Sequence, residues 1–119
     1  MGHVRVEIEI ANPVQRDRVV RVTDALVDTG ATRTTINRAL SDQLGLEIVG
    51  TQQIRTADGA SQIDQSFALV RYDGRQTFGD IWVSDVYPGV LIGVVTLESL
   101  GLAVDPVSGR LVNAEFLLL

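Results

Sequence analysis

A succession of short strand-like segments, each closed by a turn signal, most restricts the fold of this chain. The first segment, VRVEIEI at residues 4–10, alternates apolar and charged side chains, which is typical of a strand with one buried face. More β-prone runs follow at residues 18–27 and 32–36. Turn signals separate the later runs, namely Asp58-Gly59, Asp73-Gly74 and Pro88-Gly89. The pattern predicts an all-β domain that consists mainly of strands with one or two short helices.

Two short segments interrupt the strand pattern and are predicted to be helical. In the first, Asn37 can cap the N-terminus and Gly45 can end the helix in the left-handed conformation. The second spans residues 95–100. Both helices lead into Leu-Gly-Leu, at 44–46 and 100–102, and both follow an apolar run that reaches a glycine. We therefore expect two halves of one domain that are built alike.

Length and composition limit the class of protein. The 119 residues suffice for one core, so we expect a single domain over residues 1–119. The net charge of -5, without a cluster of Lys or Arg, argues against nucleic acid as a partner. The N-terminus lacks the apolar segment of a signal peptide, and the longest uncharged run, 86–97, is too short to span a bilayer. We expect a cytoplasmic protein with no membrane partner.

The residue types present narrow the chemistry. The chain has no cysteine, and its one histidine is the near-terminal His3, so neither a thiolate nor a Ser-His pair is expected as nucleophile. We also expect no metal and no cofactor. Carboxylates remain, and an apolar run at 25–27 delivers one of them, Asp28, to a loop that begins Thr29-Gly30. A lone Asp after a strand is often a plain turn residue, and that interpretation stays open here.

Three segments together make the chain resemble the retropepsin-like aspartic proteases, in particular their small bacterial members. These segments are ALVDTGAT at 25–32, RTADGAS at 55–61 and VLIGVVTLESLGLAVDP at 90–106, and the resemblance covers nearly the whole chain. It implies a single lobe of the acid protease barrel. It also implies that Asp28 is the catalytic acid and base, and that the hydroxyl of Thr29 bonds across a dimer.

The resemblance assigns roles to further residues. Gly30 would let backbone and substrate approach closely, and Ala31 and Thr32 would line the cleft. The hairpin at 54–63, with a type I′ turn at its Asp-Gly pair, would be a flap that closes over substrate. Its tip would be formed by Ala57, Asp58 and Gly59. The shell that supports the catalytic loop from behind would be formed by Leu91, Ile92 and Gly93.

The resemblance implies an aspartic endopeptidase that acts on polypeptides as a homodimer. Aspartic proteolysis needs two facing carboxylates, and this chain has one DTG triplet, so one Asp from each subunit would activate a water molecule. A catalytically silent binding or dimerisation module with the same fold is the alternative. An adaptor domain that belongs to a larger chain is a third interpretation.

Two departures from the retroviral pattern concern the dimer. Retroviral members often place an acid two residues after the DTG glycine and an arginine just after the later glycine, and the two form an ion pair. Here those positions hold Thr32 and Val94. The apolar C-terminal tail at 116–119 is expected either to join the dimer interface or to cover the chain's own core.

Overall fold

The computed structural model describes residues 4–114, which form nine strands and two short helices. The strands are β1 (Val4–Ala11), β2 (Val19–Val27), β3 (Thr35–Asn37), β4 (Gly50–Thr56), β5 (Gly59–Tyr72), β6 (Arg75–Ser84), β7 (Val90–Ile92), β8 (Leu102–Val104) and β9 (Leu111–Asn113). The helices are α1 (Arg38–Leu44) and α2 (Val94–Ser99). The predicted all-β class with short helices is confirmed. His3 and the tail at 116–119 lie outside the described residues.

Seven strands form one sheet, which closes on itself. Their order is β1-β2-β7-β3-β6-β5-β4, and β1 also pairs with β5, so six strands make a barrel and β4 extends from it. Strands β8 and β9 form a separate two-stranded sheet. The barrel encloses the core, whose largest fully buried apolar side chains are Ile10, Ile36, Leu44, Ile81, Ile92 and Leu97.

The short strand β7 lies between the strands that precede and follow Asp28. It runs parallel to β2, where Val27 is opposite Ile92, and antiparallel to β3, where Ile36 is opposite Val90. The loop at 28–34 therefore joins two strands that flank a third strand from the other end of the sequence. This arrangement places the start of the candidate catalytic loop next to Ile92, at the end of β7.

Local signals predicted several boundaries well. The side chain of Asn37 accepts a hydrogen bond from the N–H of Leu40 (2.8 Å) and caps α1, and Gly45 ends it with φ 64°. In the β5–β6 hairpin, Asp73 and Gly74 have φ values of 48° and 80°, as a type I′ turn requires. Helix α2 begins one residue earlier than predicted. Neither helix in the described part of the chain has the length and apolarity needed to cross a membrane.

Candidate active site

Asp28 follows β2 on a tightly hydrogen-bonded loop. Its backbone N–H donates to the carbonyl oxygen of Ile92 (3.0 Å), and its own carbonyl accepts from the N–H of Ala31 (3.1 Å). The half-buried carboxylate accepts from the N–H of Gly30 through Oδ1 (2.9 Å). A Cβ atom at Gly30 would lie only 3.2 Å from that oxygen, so glycine leaves the carboxylate room. The loop thus holds one carboxylate in a defined position at the surface.

The start of α2 holds the other side of this loop. The N–H of Val94 donates to the carbonyl of Ala31 (2.8 Å), and the N–H of Val95 donates to that of Thr32 (3.2 Å). Gly93 is packed so closely here that a Cβ would lie 2.5 Å from the carbonyl carbon of Arg33. Contacts that short do not occur between real atoms, so this position requires glycine.

A buried pair of threonines strengthens the same junction and was not predicted. Oγ1 of Thr34 accepts from the N–H of Gly93 (3.0 Å) and lies 2.5 Å from Oγ1 of Thr96. Both side chains are buried, and the two threonines are 62 residues apart. No local pattern indicates such a bond, because the partners meet only after the sheet has formed.

The predicted loop and shell residues meet at one place. Thr29 is exposed next to Asp28, Ala31 is half-buried and Thr32 is exposed. Behind them, Ile92 is buried, and Leu91 pairs with Leu26 of β2. The structure therefore brings the DTG loop and the segment at 91–93 together.

The loop lacks the retroviral ion pair, whose positions hold Thr32 and Val94, but it forms a different ion pair within the chain. Nε of Arg33 lies 3.4 Å from Oδ2 of Asp80, on β6 of the same chain. Both side chains are more than one-third exposed, so the pair contributes little stability in water. It links the loop to its own barrel.

The predicted flap is a hairpin of β4 and β5, but its turn differs from the expectation. Thr56 pairs with Gly59, so Ala57 and Asp58 are the two loop residues, and only Gly59 has a positive φ (122°). The predicted type I′ turn centred on Asp58-Gly59 is therefore wrong. Pairing along both strands sets the register, and it moves the turn by one residue. All three tip residues are exposed.

An ion cluster connects this hairpin to α1 and to Asp85, the residue after β6. Arg38 contacts Asp64 through Nη2 (2.7 Å) and Asp85 through Nε (2.8 Å), and Oγ1 of Thr51 donates to Asp64 (2.8 Å). The hydrogen bond from Thr51, followed by that from Arg38, lowers the pKa of Asp64. The hydrogen bond from Arg38 likewise lowers the pKa of Asp85.

A cavity of about 690 Å³ adjoins the carboxylate. Asp28 and Thr29 line it together with Val4, Val27 and the segment at 104–109. The hairpin at 54–63 contributes nothing to its lining, so the predicted flap and Asp28 are not brought into one cavity. Among residues 4–114, no group of three or more His, Asp or Glu side chains is arranged to hold a metal ion.

The chain is a six-stranded barrel, and a later strand and helix hydrogen-bond to its Asp-Thr-Gly loop. These features define the retropepsin-like class of proteins. A family model described as aspartyl protease matches residues 6–104, and the chain belongs to that family. The comparison with curated proteins finds no match.

Solved structures share the fold at low sequence identity. EIAV protease, complexed with the inhibitor HBY-793, has a TM-score of 0.62 at 20% identity, over 98% of this chain and 94% of that chain. The retroviral protease-like domain of Ddi1 from Leishmania major gives 0.59 at 17% identity, over 95% and 90%. A retropepsin-like aspartic protease from Rickettsia conorii gives 0.55 at 20% identity, over 87% and 85%. The chain is therefore similar in fold to viral, protozoan and bacterial retropepsin-like domains.

Proposed function

We propose that this chain is an aspartic endopeptidase that works as a homodimer and uses the Asp28 carboxylate of each copy. The observation that carries the proposal is a pair of hydrogen bonds that position Asp28. Its backbone N–H donates to the carbonyl of Ile92, and its carboxylate accepts from the N–H of Gly30. The bond to Gly30 alone would also suit a plain turn. The clasp by β7 and α2, together with membership of the aspartyl protease family, favours the catalytic interpretation.

The chemistry follows from placing two carboxylates close together. Two carboxyl groups about 3 Å apart cannot both be ionised, because their negative charges would repel, so the two carboxyl groups of an aspartic protease share one proton. The ionised member takes a proton from water as the water oxygen attacks the peptide carbonyl carbon. The protonated member gives its proton to the carbonyl oxygen. The member that took the proton from water then gives it to the amide nitrogen, and the C–N bond breaks. The other member takes a proton back from a hydroxyl of the tetrahedral intermediate as the carboxylic acid product forms, so the pair again shares one proton.

The second carboxylate is proposed to come from another copy because the nearby acid of the same chain is already engaged. Asp105 lines the same cavity as Asp28. Its Oδ1 accepts from the N–H of Val107 (3.0 Å) and its Oδ2 from the hydroxyl of Ser108 (2.8 Å). These bonds, that of Val107 first, lower the pKa of Asp105, so it is a poor group for sharing a proton.

The hairpin at 54–63 is proposed to be the flap that covers a bound polypeptide. Its tip is exposed, and β4 pairs only with β5 among the described strands, so opening disturbs few other contacts. Closure over the substrate would exclude water from the two carboxylates and strengthen their interactions with the reacting carbonyl.

Cleavage of an unfolded, fluorescently labelled polypeptide tests the proposal. The purified chain is assayed over a hundredfold range of concentration beside Asp28→Asn, and its mass in solution is measured in parallel. We expect cleavage that rises more steeply than in proportion to concentration below the dimer dissociation constant, and none from Asp28→Asn. A stable dimer without cleavage at any concentration would instead identify a silent dimerisation module.

A further inference from the structure

The turn between β8 and β9 carries an exposed apolar side chain beside the candidate active site. Val107 is 94% exposed, the largest exposure among the large apolar side chains of residues 4–114. Its segment, 104–109, forms one wall of the cavity that Asp28 and Thr29 also line. Val4 and Val27 add further apolar lining. Val107 thus lies at a cavity that already has two valines and the candidate catalytic carboxylate in its lining.

Hydrogen bonds within the turn fix the position of Val107. The carboxylate of Asp105 accepts from the N–H of Val107 and from the hydroxyl of Ser108, and the carbonyl of Asp105 accepts from the N–H of Gly109 (2.8 Å). Gly109 has φ 68°, a conformation that favours glycine. Because the turn is ordered before a partner arrives, little conformational entropy is lost on binding.

We propose that this turn, residues 105–109, is a contact surface for a second copy of the chain, with Val107 as its apolar anchor. The inference rests on the proposed function, in which one carboxylate per chain leaves the site incomplete without a second copy. Asp28 and Thr29 line the same cavity as the turn, and their loop must approach its own counterpart in that dimer. The contact is therefore continuous with the part of the surface where two copies have to meet.

The substrate is the other candidate occupant, because Asp28 lines this cavity. No residue of the hairpin at 54–63 borders the cavity, so the turn at 105–109 and the proposed flap do not share it. In a two-fold dimer each copy also supplies the same turn, so a change at Val107 acts twice. The turn would supply dimer contacts in a chain that lacks the ion pair at Thr32 and Val94.

Val107→Asp tests the proposal, with Val14→Asp as its matched control. Val14 is 87% exposed, lies in a loop, and lines a different cavity that shares no residue with this one. Sedimentation equilibrium of Val107→Asp is expected to show a dimer dissociation constant raised at least tenfold, with kcat per dimer restored at high protein concentration. Val14→Asp is expected to match the wild type in both measurements.

Single-cysteine variants give a second measurement that does not depend on weakening the dimer. The chain has no cysteine, so Val107→Cys and Val14→Cys each carry one thiol. Maleimide labelling of Val107→Cys is expected to slow as the protein concentration rises into the dimer range, and that of Val14→Cys is expected to stay constant. Equal labelling of both at all concentrations would overturn the proposal.

The outcomes separate this inference from the proposed function. If Val107→Asp keeps the wild-type dimer dissociation constant but raises KM, the turn contacts substrate, and the inference fails while the protease stands. If Val107→Asp changes neither quantity, the inference fails alone. If the wild type is monomeric and inactive at every concentration, both fail.

Discussion

The backbone N–H of Gly93 donates to Oγ1 of Thr34 over 3.0 Å, and both residues are buried. This bond joins the end of the candidate catalytic loop, at Thr34, to the residue that precedes α2. Thr34→Val keeps the shape but leaves the N–H of Gly93 without its acceptor, so the free energy of unfolding should fall by about 1–3 kcal/mol. Urea denaturation measures the change. The exposed Thr23→Val is the control, and an equal loss in both variants would contradict a special role for Thr34.

Gly93→Ala should destabilise the fold because the added methyl group has no room. The added Cβ would meet the carbonyl groups of Arg33 and Thr32 at 2.5–2.7 Å, and these backbone atoms belong to the candidate catalytic loop. We expect a loss of about 1–3 kcal/mol in stability together with loss of any peptidase activity. Gly79→Ala on β6 is the matched control, because nothing lies within 4 Å of its added Cβ. Wild-type melting of Gly93→Ala would show that the loop yields more easily than its packing indicates.

Asp28→Asn should abolish peptidase activity and leave the fold intact. The amide oxygen can still accept from the N–H of Gly30, but the side chain can no longer take a proton from water. Circular dichroism and solution mass check the fold and the dimer, and cleavage of a labelled polypeptide checks activity. Asp24→Asn, at an exposed position on the strand that leads to Asp28, should keep full activity. Undiminished cleavage by a pure Asp28→Asn sample would rule out the catalytic assignment.

Arg38→Met should weaken the fold near neutral pH and flatten its response to acid. The pKa values of Asp64 and Asp85 are held below their ordinary 3.8, so their contribution to stability is present above that pH. It is lost as the pH falls below 3.8 and the two carboxylates take up protons. Thermal melts at about pH 7 and roughly pH 2–3 measure the difference.

Arg21→Met is the control for that experiment. Arg21 and Glu7 are 3.6 Å apart and more than half exposed, so their pair should contribute little at either pH. Parallel pH curves for the wild type and Arg38→Met would mean that the ion cluster around Arg38 does not stabilise the fold.

Hydrogen exchange should be fast at the hairpin tip. The amides of residues 55–60 lie on a two-stranded extension of the barrel, whereas those at 69–71 belong to a part of β5 that pairs with both β6 and β1. We expect exchange at 55–60 to be at least about tenfold faster, because local opening there disturbs few contacts. Equal protection of the two segments in the protein without substrate would contradict a flap that opens readily.

Signals within a few residues predicted much of the fold. The cap at Asn37, the left-handed end at Gly45 and the Asp73-Gly74 turn are all set by local backbone chemistry, and the structure has each of them. The Asp58-Gly59 turn failed because the seven residue pairs between β4 and β5 decide where that hairpin turns. A turn dipeptide indicates a hairpin more reliably than it indicates the register.

The candidate site was predictable only in part. Asp28 stands out because a single carboxylate follows a buried run, and the later glycine at 93 stands out because an apolar strand ends there. The bond from Thr34 to Thr96 and the contact of Arg38 with Asp85 join residues 62 and 47 apart. These residues become neighbours only when the barrel has packed, so local sequence patterns do not predict the two contacts.

The position of β7 between β2 and β3 has a consequence for how the protein is made. The strand that clasps the candidate catalytic loop comes more than 60 residues after Asp28 in the chain. A ribosome adds about 5–20 residues each second, so for several seconds the nascent chain carries Asp28 without the carbonyl of Ile92 that later holds it. Contacts between such distant segments also form late in folding. Asp28 therefore gains the hydrogen bond to Ile92 only when the barrel is nearly finished.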